Sequence, residues 1–287
     1  GNTGVGIGVF GALTTGDNNV AVGLNALDVN TTGSENVAVG MGALDTNTTG
    51  AGNISIGCGS MSANVSGNYN VAIGRCALDT SVSGSANVAI GDRALYTNTA
   101  SYNTSVGFFS LAANTTGETN VAVGQNSLAA NTTGARNTGI GQNALLVSTT
   151  GANNTAVGQG ALEANTTASD NSAFGHDSLV ANTTGVQNSA YGYRSLAANT
   201  TGANNVAVGN DTLDASTTAS DNTAVGKAAL TSNTTGHSNV AVGKSALAAN
   251  TDRDNLTAVG FGALAIHTTG DNNTAVGAYS LNKSTDT

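Results

Sequence analysis

Few residues in this chain belong to the types that carry out chemistry in proteins, and they do not gather at catalytic spacings. Of the 287 residues, three are histidines, two are cysteines, and charged side chains make up 9%. His176, His237 and His267 occupy three different positions of a repeating pattern, so they form no column and are predicted to be exposed. A metal site built from two cysteines without a nearby histidine is not expected. We therefore predict no catalytic residue, no metal site, no cofactor and no enzymatic activity.

A second set of ionisable residues lies one position after a recurring leucine. It comprises Asp28, Asp45, Asp79 and Asp214. Paired carboxylates can act as general acid and base when they lie together at a reacting centre. This column is interrupted, and no nucleophile accompanies it. The pattern therefore predicts a solvated acidic face.

The two cysteines, Cys58 and Cys76, are separated by one position more than the repeat described below. In a 17-residue coil they would lie on adjacent turns, offset by that one position. A disulfide is geometrically feasible at that offset, and two reduced, half-buried thiols are equally compatible with it. The pair does not indicate the redox compartment.

Eight asparagines begin an Asn-Thr-Thr sequence at a predicted exposed turn, which is an acceptor sequence for N-glycosylation. They are Asn30, Asn47, Asn114, Asn131, Asn165, Asn182, Asn199 and Asn233. The same residues are good turn formers, because asparagine accepts left-handed backbone angles and its side chain bonds to nearby backbone groups. Turn formation is the leading interpretation, and glycosylation is the second.

A glycine anchors a repeat that covers almost the whole chain. The anchor glycines are Gly6, Gly23, Gly40, Gly57, Gly74, Gly91, Gly107, Gly124, Gly141, Gly158, Gly175, Gly192, Gly209, Gly226, Gly243, Gly260 and Gly277. They recur with a 17-residue period, and the one exception is the 16-residue step from Gly91 to Gly107. A fixed period of this length is typical of a solenoid, in which each coil contacts its neighbours. The sequence thus predicts an all-β solenoid, a parallel β-roll of 17-residue coils.

The residues before each anchor glycine read as a short strand. In 36–40 the order is Asn, Val, Ala, Val, Gly, and this order recurs with small changes. The residue before the glycine is always bulky, and the one before that is Ala, Ser or Gly. This alternation with period two predicts a strand. We expect the bulky face to point into the coil and the small face to meet another copy of the chain.

From Gly23 onward, a leucine such as Leu27 or Leu44, or methionine at Met61, lies four residues after each anchor and predicts a short helical turn or a second strand. It should pack on the bulky strand residue and complete a thin hydrophobic core. Such a core buries little apolar area, so we expect each coil to need a partner surface for stability. An asparagine, such as Asn36 or Asn120, precedes the strand in all coils but one, where Leu256 takes its place. This column should form a structural amide ladder.

A threonine column at the next corner could bind glycan or ice as a lateral-face binding module, the alternative to a purely structural role. Its members are Thr31, Thr48, Thr115, Thr132, Thr149, Thr166, Thr183, Thr200, Thr217 and Thr234.

The repeat divides the chain into an irregular first coil (1–18), a solenoid (19–281) and a polar tail (282–287). The chain begins inside a repeat, without an initiator methionine or a signal peptide, so we expect it to be a segment of a longer protein. The net charge of −9 disfavours binding to nucleic acid or to an anionic membrane surface. No apolar run approaches the roughly 18 residues that span a bilayer, so membrane insertion is not expected.

The Asn-x-Ala-Val-Gly strands, as in 19–23 and 205–209, and the phrase Ala-Leu-x-x-Asn-Thr-Thr-Gly in 26–33 resemble the head repeats of trimeric autotransporter adhesins. They are also similar to repeats of bacteriophage and bacterial tail-fibre proteins. The resemblance implies a homotrimer of parallel β-rolls exposed outside the cell or virion and used for attachment. The function expected from it is that of an extracellular fibre or adhesin segment that associates with itself; the receptor stays unknown.

Overall fold

The structure is a computed structural model that describes residues 1–282, so 283–287 of the predicted polar tail lie outside the described residues. It is an all-β parallel solenoid with 17-residue coils, and residues 1–282 contain no helix. The chain forms two compact units, Gly1–Gln142 and Asn143–Thr287. The predicted fold class is confirmed in its main part.

Each coil contributes one strand of three residues. In the first unit the strands are β1 (Thr3–Val5), β2 (Val20–Val22), β3 (Val37–Val39), β4 (Ile54–Ile56), β5 (Val71–Ile73), β6 (Val88–Ile90), β7 (Thr104–Val106), β8 (Val121–Val123) and β9 (Thr138–Ile140). In the second they are β10 (Thr155–Val157), β11 (Ser172–Phe174), β12 (Ser189–Tyr191), β13 (Val206–Val208), β14 (Thr223–Val225), β15 (Val240–Val242), β16 (Thr257–Val259) and β17 (Thr274–Val276). Within each unit successive strands pair in parallel, and residues at the same coil position lie opposite each other.

The 16-residue coil keeps this register. Val88 lies opposite Thr104, and Ala89 lies opposite Ser105. The missing residue falls in the corner around Tyr102, which is exposed. The deletion is therefore absorbed by a loop, as the sequence predicts.

The strands face the opposite way from the prediction. The small middle residue, such as Ala38, is fully buried, whereas Val22 and Val39 are 37% and 36% exposed. The interior is narrow: the Ser55 hydroxyl on the strand donates to the carbonyl of Ser60 on the opposite wall at 2.8 Å. Only alanine, serine or glycine fits in that gap, so the bulky residues must point outward. The predicted contact between the alanine face and another chain is wrong.

The leucine segment is neither a helical turn nor a second strand. Asn25 and Leu27 both have positive φ, 56° and 51°, and this alternation recurs in later coils. Alternate amides bond in opposite directions: the N–H of Gly42 donates to Leu24 in the preceding coil at 2.9 Å, and that of Leu44 to Ser60 in the following coil at 3.1 Å. Positive φ is unusual for leucine, and complete burial together with bonding to both neighbouring coils holds it there.

The first coil is more regular than predicted. Thr3 lies opposite Val20, and the side-chain oxygen of Asn2 accepts the N–H of Asn19 at 2.8 Å. Phe10 takes the backbone angle of the recurring leucine, with φ of 57°. The irregularity of residues 1–18 therefore lies in their side chains and not in strand pairing.

Candidate functional site

One partly exposed feature that recurs from coil to coil is the outer strand face, which we define as the first and third residues of each strand. It carries Val, Ile, Thr, Ser, Phe and Tyr, and within residues 1–282 it carries no charge. Val208 and Val242 are each 37% exposed. A free surface of a soluble protein normally mixes polar and charged groups with its apolar ones, and long exposed apolar patches indicate an interaction site. The face therefore has the composition of an interface.

Two neighbouring strands depart from the uniform pattern of this face. The rings of Phe174 in β11 and Tyr191 in β12 stack with centroids 4.9 Å apart and planes 7° apart. The first residue of the same two strands is Ser172 or Ser189, whereas each of the other strands begins with Val, Ile or Thr. The two largest third residues thus coincide with the two smallest first residues.

A buried amide ladder positions the start of each strand. The backbone and side-chain N–H groups of Asn36 donate to the Asn19 side-chain oxygen at 2.9 and 3.2 Å. The same side chain also donates to the Gly50 carbonyl of the turn at 2.9 Å. Asn36 is fully buried. The predicted structural role of this column is confirmed, and it is interrupted at Leu256, whose N–H still donates to the Asn239 side-chain oxygen at 2.9 Å.

The eight candidate glycosylation residues lie in a second buried column, in which short amide ladders are interrupted by Ser81, Ser148 and Ser216. All eight are 0% exposed; they are Asn30, Asn47, Asn114, Asn131, Asn165, Asn182, Asn199 and Asn233. In a typical coil, the Asn47 side-chain nitrogen donates to the Asn30 side-chain oxygen at 2.8 Å and to the Gly50 carbonyl at 3.0 Å. The prediction that these side chains are exposed is wrong, because they point into the coil. A sugar on a nitrogen with two such bonds is incompatible with the folded ladder, so the geometry favours the turn-forming role.

The three histidines differ in burial. His267 is only 2% exposed and occupies the position that asparagine takes in the second buried column, with its Nε2 3.0 Å from the Gly270 carbonyl. His237 is exposed, and its Nδ1 accepts the N–H of Ser220 at 3.0 Å. The prediction of an exposed position is therefore wrong for His267. Its ring replaces an amide inside the coil.

The first threonine of a typical corner forms a hydrogen bond within the chain. The Thr31 hydroxyl donates to the Thr48 carbonyl of the next coil at 2.9 Å, and Thr115 does the same toward Thr132. The second threonine of the corner, such as Thr32 or Thr116, is exposed. A ligand at this corner would therefore meet the second column.

The acidic column is half-buried and not freely solvated. Burial raises the pKa of Asp45, and the charges of Asp79 and Asp28 raise it further. The Asp79 carboxylate accepts the Ser62 hydroxyl, and the Asp214 carboxylate accepts the Thr231 hydroxyl at 2.8 Å. Asp79 and Asp214 thus bond to side chains of a neighbouring coil, whereas Oδ1 of Asp45 is buried without a hydrogen-bond partner among the described residues.

The two cysteines are free thiols in the structure, with Cys58 exposed and Cys76 half-buried. The N–H of Cys76 donates to the Cys58 carbonyl at 3.0 Å, which places them on adjacent coils as predicted. Burial raises the pKa of the Cys76 thiol. The choice between a disulfide and two thiols stays a prediction.

Neither unit contains a pocket within its described residues. Residues 1–282 hold no group of three or more His, Cys, Asp or Glu side chains that could bind a metal ion. They also include no helix with the length and hydropathy needed to span a membrane. No protein-family model and no curated protein matches the chain. The resemblance to adhesin and tail-fibre repeats therefore stays a prediction.

Proposed function

We propose that this chain is a segment of an extracellular fibre or adhesin, and that it assembles with copies of itself through the outer strand face. Its role is structural: it displays corner loops along an assembled particle and mediates surface attachment. The observation that carries this proposal is the exposed and charge-free outer strand face. The number of copies, three, and the extracellular location follow from the resemblance described above.

The outer strand face is large enough for a stable interface. A strand of three residues covers about 10 Å along its length and about 4.8 Å across, or roughly 50 Å². Among the described residues, the nine strands of the first unit and the eight strands of the second present roughly 450 Å² and roughly 400 Å² respectively. A standard protein interface buries about 800 Å² per partner. The face thus supplies, per chain, about the area of one standard interface, which a trimer divides between two neighbours.

A copy of the chain is the occupant that fits the face best. The exposed side chains repeat once per coil, so a partner surface must repeat with the same rise to pack against every level. Another solenoid of this sequence has that rise. It also brings a matching uncharged face, so no buried charge is left without a partner.

Lysines on the outer strand face are expected to dissociate the assembly. Val208→Lys combined with Val242→Lys places two charges where the proposal requires an apolar contact, and burying an unpaired charge costs several kcal/mol. We expect sedimentation velocity at micromolar concentration to show single chains. The matched control is Thr201→Lys with Thr235→Lys, which puts the same charges on exposed corner positions and should leave the assembly intact.

Two results would contradict this proposal. One is an unmodified chain that sediments as a monomer, and the other is a pair of face lysines that leaves the mass unchanged. The same control variant addresses the alternative, a binding module at the threonine corner, which is supported by the exposure of residues such as Thr32. That alternative predicts that the corner lysines abolish binding to glycan or ice while the assembled mass stays constant.

A further inference from the structure

The outer strand face of the second unit is nearly uniform except at two strands. In β10 and β13–β17 the first residue is Val or Thr and the third is Val. In β11 and β12 the pairs are Ser172 with Phe174 and Ser189 with Tyr191. Both departures combine a small and a large side chain on adjacent levels of the same face.

We propose that β11 and β12 fix the axial register of the assembled chains. This inference rests on the proposed self-association through the outer strand face. A uniform face does not specify how far one copy is shifted along its neighbour. Strands whose outer residues are Val or Thr can face one another in several shifts with almost the same contacts. A shift by two coils, for example, sets β13 against β15, and these have identical outer residues.

The size pattern of β11 and β12 removes this freedom. At their own level, the space left by the serines accommodates the large rings of neighbouring copies. After a shift by two or more coils, both rings of each chain meet valine, isoleucine or threonine. After a shift by one coil β11 faces β12, and one of the two rings in each chain still meets valine or threonine. Close-packed interfaces tolerate neither the overlap nor the gap. The matched arrangement is therefore favoured over every shifted one.

Polar groups reinforce the preference. Within residues 1–282, the hydroxyls of Ser172, Ser189 and Tyr191 form no hydrogen bond. All three residues lie on the outer strand face. In the matched arrangement a tyrosine hydroxyl can bond to a serine hydroxyl of a neighbour, whereas a tyrosine of β12 shifted to the level of β13 faces only valine. One polar group in an apolar seam is known to specify register in other parallel assemblies.

The test makes the two strands resemble β13. The variant Ser172→Val, Phe174→Val, Ser189→Val and Tyr191→Val is prepared with Cys58→Ser and Cys76→Ser, so that only introduced cysteines react. Val225→Cys and Val259→Cys are placed on two differently tagged chains, which are co-assembled and oxidised. These positions lie two coils apart, so they form a disulfide only when the chains are shifted. Val242→Cys on both chains reports the matched level.

We expect the parent chain to form the 242–242 disulfide and little of the 225–259 disulfide. In the valine variant the yield of the 225–259 disulfide should rise at least about tenfold relative to that of the 242–242 disulfide. Transplanting the pattern with Val206→Ser, Val208→Phe, Thr223→Ser and Val225→Tyr should restore a single register, here read with cysteines at 242 and 276. An unchanged disulfide ratio in the valine variant would overturn the inference.

The outcomes separate the two proposals. If the parent chain sediments as a monomer, the self-association itself fails. If the parent assembles and the valine variant keeps one register, only the register assignment fails. Should the fourfold variant not fold, the variants Ser172→Val with Phe174→Val and Ser189→Val with Tyr191→Val are compared separately. Where the cysteines do not pair, electron cryo-microscopy supplies the readout, because shifted chains end whole coils beyond their neighbours.

Discussion

Replacing Gly40 with alanine is expected to be among the most destabilising single changes in this chain. Its φ is 138°, a backbone angle that residues with a Cβ rarely adopt. A Cβ at this position would also lie 2.5 Å from the carbonyl oxygen of Gly57 in the next coil. Backbone strain and steric overlap together should lower the free energy of unfolding by about 3 kcal/mol or more. Thermal unfolding followed by circular dichroism measures the effect.

Gly42→Ala is the matched control for this change. Gly42 lies in the same coil and also has positive φ, 63°, but a Cβ there would have only the Asp45 carboxylate within 4 Å, at 3.9 Å. Other coils carry Asn25 or Ala228 at this position with nearly the same angle. We expect a loss of about 1–2 kcal/mol at most. Equal effects of the two substitutions would show that contact between the coils at Gly57 does not determine the glycine.

Asn205→Ala should have an effect of similar size, because it removes one member of the first amide ladder. The Asn205 side chain donates to Asn188 at 3.1 Å and to the Ala219 carbonyl at 2.8 Å. Its oxygen accepts the N–H of Asn222 at 3.1 Å. Each buried polar group left without a partner costs about 1–3 kcal/mol, so we expect a total loss of about 3–5 kcal/mol. Urea unfolding measures it.

The neighbouring residue provides the control for the ladder. Asn204 is exposed, and its side chain bonds to the Asp221 carboxylate at 3.0 Å on the surface. Asn204→Ala should therefore cost no more than about 1–2 kcal/mol, most of it from the positive φ of 60°. A ladder variant as stable as this control would mean that water or a rearranged turn replaces the lost bonds.

The sequence predicts the parts of this fold that depend on period. The 17-residue spacing determines the strand positions, and alternation identifies the three-residue strands. The asparagine before each strand is recognisable because strand starts need a fixed partner for their N–H groups. These features follow from local chemistry repeated in every coil.

Alternation alone predicts the wrong direction for each strand face, although the sequence contains a clue. The middle position never exceeds serine in size, while the third position ranges from Val22 to Tyr191. A position that accepts such different sizes faces outward, and a position limited to small residues faces a nearby wall. The thickness of the interior decides between the two faces, and a single strand does not reveal it.

The backbone conformation of the leucine segment and the burial of the turn asparagines cannot be predicted from the sequence, for a related reason. Left-handed leucine, as at Leu44 with φ of 54°, is too rare for local rules to predict. Its conformation depends on hydrogen bonds to two neighbouring coils. The sequence predicts that Asn47 is an exposed turn residue. In the stacked coils its side-chain amide is buried and bonds to the preceding coil. Both the leucine conformation and the asparagine burial result from the stacking of coils, which the sequence of a single repeat does not reveal.

The molar mass of the unmodified chain in solution tests the central claim most directly. That claim is that copies of the chain cover the outer strand face, with three chains in the assembly. Light scattering coupled to size-exclusion chromatography should give three times the chain mass of 27.9 kDa. A mass of 27.9 kDa at all concentrations tested would contradict the account, because it would leave the valine columns exposed to water without a partner.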